Sequence, residues 1–100
     1  MRTSPVTDAE LAAQARAGSG EAFGALVERH AERARRVARA ALLDPHDADD
    51  AVQDALYSAW QALDRFEPAR PFGPWFLRIV VNAAARIAEP FAAFLAPFSA

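Results

Sequence analysis

The sequence predicts an all-α protein, a compact bundle of three main helices preceded by a short N-terminal one. Apolar residues recur at three- and four-residue spacing through three long stretches, and alanine dominates while lysine is absent, which favours helix. Breakers between the helices fall at Gly18–Gly20, at Asp44–Pro45 and in the run DRFEPARPFG. One hundred residues make one compact domain with a modest core.

Residues 1–7 read as a flexible start without the apolar core of a signal peptide. Asp8, ahead of Ala9, Glu10 and Leu11, is placed as an N-cap for a short helix to Ala17, which Gly18, Ser19 and Gly20 stop. The second helix spans Glu21 to Leu43, with Phe23, Val27, Ala34, Val37 and Ala41 on its apolar stripe. Arg29, Arg33 and Arg36, and Arg35 with Arg39, stand on other faces, and Glu32 precedes Arg36 by four in a supportive orientation. His30 falls in the apolar stripe, where a histidine is expected to be packed and hydrogen-bonded and is given no further role.

Asp44 and Pro45 end the second helix, because proline restricts the residue before it and cannot donate a backbone hydrogen bond. Asp47 is expected to cap a third helix from about Ala48 to Leu63, with Val52, Ala55, Leu56, Ala59 and Leu63 inward and Trp60 at the edge. After the proline-rich loop, Gly73 is placed as N-cap and Pro74 as first residue of a fourth helix reaching about Ala88. Pro90 is expected to break that helix. The domain is thus 8–88, and residues 89–100 form an apolar tail too short to span a bilayer. The expected core is Phe23, Val27, Val37, Leu42, Val52, Leu56, Trp60, Leu63, Ile79 and Val80.

Composition excludes several classes. The net charge of −2 is not that of a protein holding DNA by charge alone, so any nucleic-acid role must be local or assisted. Without cysteine there is neither a disulfide frame nor a thiolate metal site, and a cytoplasmic location is expected. No glycine-rich phosphate loop, nucleophile beside a histidine, or histidine pair at ligand spacing occurs, so no catalytic residue, cofactor or metal site is assigned. Asp44, His46, Asp47, Asp49 and Asp50 lack calcium-loop spacing and fit helix capping instead.

Two constellations carry functional information. On the third helix Asp50, Gln53, Asp54, Tyr57, Gln61 and Asp64 share one sector when residues advance by about 100° each. Solvated faces usually mix charge signs, yet no arginine occurs between Asp44 and Asp64, which suits a partner rich in cations. The second constellation is Phe66, Arg70, Phe72 and Trp75, followed by the ridge Arg78, Asn82 and Arg86. Aromatic faces take unstacked bases, arginines meet phosphates, and an amide can read a base edge. Equally, Phe66, Phe72 and Trp75 fit a loop closing over the core, and the residue types leave both readings open.

Together DAELAAQARAGSGEAFGALVERH, DPHDADDAVQDALYSAWQALDRF and RPFGPWFLRIVVNAAAR resemble region 2 of the extracytoplasmic-function sigma factors, in that family's order and spacing. The resemblance implies a sigma region 2 fold and no enzymatic activity. It implies that Asp50, Gln53, Asp54, Tyr57 and Gln61 dock on the clamp helices of the largest subunit of core RNA polymerase. It further implies that Phe66, Arg70, Phe72, Trp75, Arg78, Asn82 and Arg86 meet the minus-ten promoter element, capturing a flipped base of the non-template strand. An anti-sigma factor is a further implied partner; a membrane is not. The chain departs from the family in its uncharged tail and in having no residues left for the helix-turn-helix domain that reads the minus-thirty-five element. A second reading therefore makes it a sigma-like competitor for polymerase or an anti-sigma factor.

Overall fold

A computed structural model describes the backbone of residues 5–95 and side chains through residue 88. Four α-helices make up the fold: α1 (Asp8–Arg16), α2 (Gly20–Ala41), α3 (Pro45–Ala62) and α4 (Phe72–Leu95), with a 3-10 turn at Leu63–Arg65 after α3. The all-α bundle with a short leading helix is the architecture the spacing predicts.

The caps explain where the first three helices start, and they shift three expected boundaries. Thr7, not Asp8, caps α1: its hydroxyl accepts from the Glu10 amide at 3.1 Å and donates to the Glu10 carboxylate at 3.1 Å. α1 ends in a Schellman motif: Gly18 N–H donates to Ala15 O at 2.9 Å and Ser19 N–H to Gln14 O at 3.1 Å. Gly18 sits at φ +109°, a conformation open to glycine and strained for other residues. The Ser19 hydroxyl then caps α2 by accepting from the Ala22 amide. Asp44, not Asp47, caps α3 through the His46 amide at 2.7 Å, and Pro45 occupies the first turn, where its missing N–H costs nothing.

α4 corrects the sequence reading at both ends. It begins at Phe72, two residues ahead of Pro74, and its backbone stays helical past Pro90 to Leu95. One proline removes a single donor and crowds one preceding carbonyl, so the turns on either side can still continue. The tail expected at 89–100 is therefore helical in backbone as far as residue 95; residues 96–100, like 1–4, lie outside the described residues.

α3 packs against α4 and α2, and α1 lies along α2. Alanine lets these helices approach closely: Ala22, Ala31, Ala34 and Ala38 of α2 and Ala48, Ala51, Ala55 and Ala59 of α3 are all buried. The volume is filled mainly by Leu26, Phe72, Phe76 and Val80, the largest fully buried side chains, each contributing roughly 1.5–3 kcal/mol of burial free energy. Of the expected core, Val27, Leu42, Val52, Leu63 and Val80 are buried, and Phe23, Val37, Leu56 and Ile79 pack partly buried against it. Trp60 does not enter the core: it is 40% exposed and rests an edge on Phe23, with ring centroids 5.1 Å apart. Ala41 is exposed. Glu32 and Arg36 form no ion pair.

Candidate functional site

The acidic sector of α3 stands free of the bundle. Asp50, Gln53, Asp54, Tyr57, Gln61 and Asp64 are all exposed, because the opposite stripe of Ala48, Val52, Ala55 and Ala59 is what α3 buries. Tyr57 is 65% exposed, and its hydroxyl accepts a hydrogen bond from Gln61 Nε2 at 2.9 Å, linking two successive turns of the ridge. Among the described residues no arginine or histidine forms an ion pair with Asp50 or Asp54. The ridge is therefore an unneutralised carboxylate surface, with a phenol and two amides to donate and accept.

The aromatic group divides in two. Phe66 and Phe72 are 3% and 2% exposed, so the reading of these two as base-stacking faces is corrected: they are core. The reason is packing. Phe72 stacks on Phe76 with centroids 5.6 Å apart and meets Phe66 edge-on at 5.7 Å, so the loop folds its own aromatics beneath it. Trp75 remains half-exposed on top of this plinth, 4.9 Å from the Phe66 ring and 5.6 Å from that of Phe72.

Around Trp75 the structure gathers cations. Arg65, Arg70, Pro71, Pro74, Trp75 and Arg78 line a hollow of about 370 Å³ floored by Phe66. Next to it, between α3 and α4, Asn82 and Arg86 line a second hollow with Ser58, Gln61, Arg65 and Ile79. Arg78, Asn82 and Arg86 are exposed, as ridge residues must be to reach a ligand. Arg70 makes an exposed ion pair with Glu67 at 3.3 Å, weak because both side chains are largely in water. Arg65 is common to both hollows; its place directly ahead of Phe66 in the loop was the sequence signal for it.

A polar clasp supports the loop from the far side. Asp8 accepts from Arg29 Nη1 at 3.0 Å and from His30 Nε2 at 2.8 Å, tying the first turn of α1 to the middle of α2. His30 is thus packed and hydrogen-bonded, as its stripe position suggested, with its ring 5.4 Å from that of Phe72. A methyl group on Gly73 would lie 3.2 Å from the imidazole, so a side chain there would press on His30. Burial raises the Asp8 carboxyl, but the hydrogen bonds and charges of His30 and Arg29 outweigh it and hold the group below its ordinary value. At the other end of α1, Arg16 Nη2 donates to the Asp64 carbonyl at 3.0 Å, fixing α1 to the 3-10 turn.

Among the described residues no helix is long and apolar enough to cross a membrane, and no group of three or more metal-ligating side chains converges.

Comparison with known proteins places this geometry. Residues 26–88 match the family model described as Sigma-70 region 2. The chain is 48% identical over 75 residues to RNA polymerase sigma factor CnrH of Cupriavidus metallidurans, covering 75% of this chain and 39% of the relative. It is 43% identical over 77 residues to ECF RNA polymerase sigma factor SigM of Mycobacterium tuberculosis, covering 77% and 39%. The chain thus spans about two fifths of the length of these relatives. Among solved structures, an engineered region 2 of sigmaE in complex with GTAAAA superposes with a TM-score of 0.83 at 29% identity, covering 95% of this chain and 99% of that one. CnrH in complex with the cytosolic domain of CnrY superposes with a TM-score of 0.74 at 46% identity, covering 79% and 51%. With more than half its length matched by the family model and its whole helical frame shared with a sigma region 2 structure, the chain belongs to the Sigma-70 region 2 family.

Proposed function

We propose that this chain is a sigma-factor module that binds core RNA polymerase through the acidic ridge of α3 and recognises and melts the minus-ten promoter element, without enzymatic activity of its own. The observation carrying the first half is the ridge itself: Asp50, Gln53, Asp54, Tyr57 and Gln61 are exposed together, and among the described residues no cation pairs with Asp50 or Asp54. Such a surface suits a basic partner, here the clamp helices of the largest polymerase subunit. The second half is supported by Arg70, Trp75 and Arg78 around one hollow and Asn82 and Arg86 around the next, a stacking face among phosphate-binding cations. The solved complex of a region 2 of sigmaE with GTAAAA supports the same assignment. Because CnrH was solved bound to the cytosolic domain of CnrY, a regulatory protein of the anti-sigma kind is a further proposed partner. The working compartment is then the cytoplasm.

Capture of the chain by core polymerase in a pull-down tests the reading. The pair Asp50→Arg and Asp54→Arg reverses the charge of the ridge at exposed positions, so folding is preserved and capture is expected to fall to background. Undiminished capture would refute the polymerase assignment.

A further inference from the structure

We propose that the C-terminal half of α2 carries a phosphate track, centred on Arg33 and Arg36, which extends the strand-binding surface past the loop and holds the backbone of a longer single strand. The inference rests on the reading of the domain as a strand-binding module and adds a second stretch of contact to it.

Charge is segregated in this fold far more than the net value of −2 suggests. From Asp44 to Asp64 there are six carboxylates and no cation, whereas from Arg33 to Leu43 there are four arginines and no carboxylate. Arg33, Arg35, Arg36 and Arg39 are all exposed, and among the described residues none of them forms an ion pair. Helix periodicity arranges them: Arg33 and Arg36 lie about 60° apart, Arg39 lies about 60° further round and one turn on, and Arg35 stands about 160° from Arg33.

Position gives the first pair its meaning. Arg33 lines a hollow of about 460 Å³ together with Arg70 and Pro71 of the loop and with His30 and Asp8, whose carboxylate is already engaged by Arg29 and His30. Arg70 also lines the neighbouring hollow that holds Arg65, Trp75 and Arg78. Cations therefore follow one another from Arg78 across the loop through Arg70 to Arg33, and Arg36 stands one turn further along α2. Guanidinium groups match phosphate oxygens in pairs and are weakly hydrated, so exposed arginines continuing a stacking platform suit a polynucleotide backbone. The acidic ridge of α3 repels the same backbone and leaves α2 as the favourable path.

The test uses the intact chain and three fluorescent single strands: the hexamer GTAAAA, and that hexamer lengthened by six thymidines at its 5′ or 3′ end. Binding is read by anisotropy between 50 and 200 mM salt. If two more phosphates are neutralised, one of the long strands gains a salt slope steeper by about 1.4, and so loses about sevenfold more affinity than the hexamer across that range. Arg33→Ala with Arg36→Ala should return that strand to hexamer behaviour while leaving hexamer binding intact, and Arg35→Ala should change neither. Hexamer binding with no gain from either extension, or a gain that survives the first pair of substitutions, would overturn the track and leave the strand-binding module standing. Failure of all three strands to bind would overturn both. Binding of a polyglutamate peptide at the same arginines without any strand effect would assign the face to an acidic protein and also overturn the proposal.

Discussion

Asp8→Asn removes one negative charge from the clasp between α1 and α2 while keeping the shape of the side chain. The folded protein holds this carboxyl below its ordinary value of 3.8 because the hydrogen bonds and charges of His30 and Arg29 outweigh burial. Charge-assisted hydrogen bonds of this kind reach about 1.5–3 kcal/mol when buried. The Asp8 side chain is 35% exposed and that of Arg29 is 41%, so water screens the pair and the expected loss is about 1 kcal/mol. With an m-value of about 1–2 kcal/mol/M, the urea midpoint should fall by about 0.5–1 M at pH 7. The pH dependence has a definite sign. A carboxyl that is more acidic folded than unfolded stabilises the fold fully above the unfolded value, and that stabilisation fades as pH drops through the lower folded value. The gap between the two proteins, followed by far-ultraviolet circular dichroism in urea, should therefore be present from pH 7 to about 5 and close in strong acid. Equal midpoints at pH 7, or a gap that persists at pH 2, would refute the role given to the clasp.

Three further substitutions separate framework from surface. Phe72→Ala empties a position that is 2% exposed, so it should cost about 3–5 kcal/mol and lower the melting temperature by at least about 12 °C. Trp75→Ala, at a half-exposed site, should cost only about 1–2 kcal/mol, yet lower single-strand affinity by about tenfold; calorimetry and anisotropy on the same samples show whether the two effects divide this way. Gly18→Ala forces a side chain to φ +109° and should destabilise by about 1–2 kcal/mol in thermal unfolding with no change in polymerase capture.

Periodicity made the helices readable, and the errors cluster where periodicity says nothing. A cap is chosen by which oxygen reaches an amide, and Thr7, Asp8, Asp44 and Asp47 are chemically equivalent candidates until the backbone is built. The same limit governed the aromatics. Phe66, Phe72 and Trp75 are spaced so that any of them could face a ligand, but only the folded loop shows that Phe66 meets Phe72 edge-on, that Phe72 stacks on Phe76, and that Trp75 is left at the surface. The acidic ridge was legible because one helix alone determines it: residues three and four apart share a face whatever the helix packs against. The hollows around Arg70 and Arg33 were not legible, since each joins a loop to helices distant in sequence.

The division between buried plinth and exposed ridges also bears on how a small domain can carry two surfaces of opposite charge. A module of this size has little stability to spare, on the order of 5–15 kcal/mol, and surfaces meant for binding cannot contribute much to it. Here alanine seams and the Phe66–Phe72–Phe76 group supply the core, while the carboxylates of α3 and the arginines of α2 and α4 stay unpaired with each other. Pairing them internally would add little, because exposed ion pairs contribute about 0–1 kcal/mol. Leaving them unpaired keeps two opposite potentials on one domain, which is what the proposed binding of a basic polypeptide and an acidic strand would draw on.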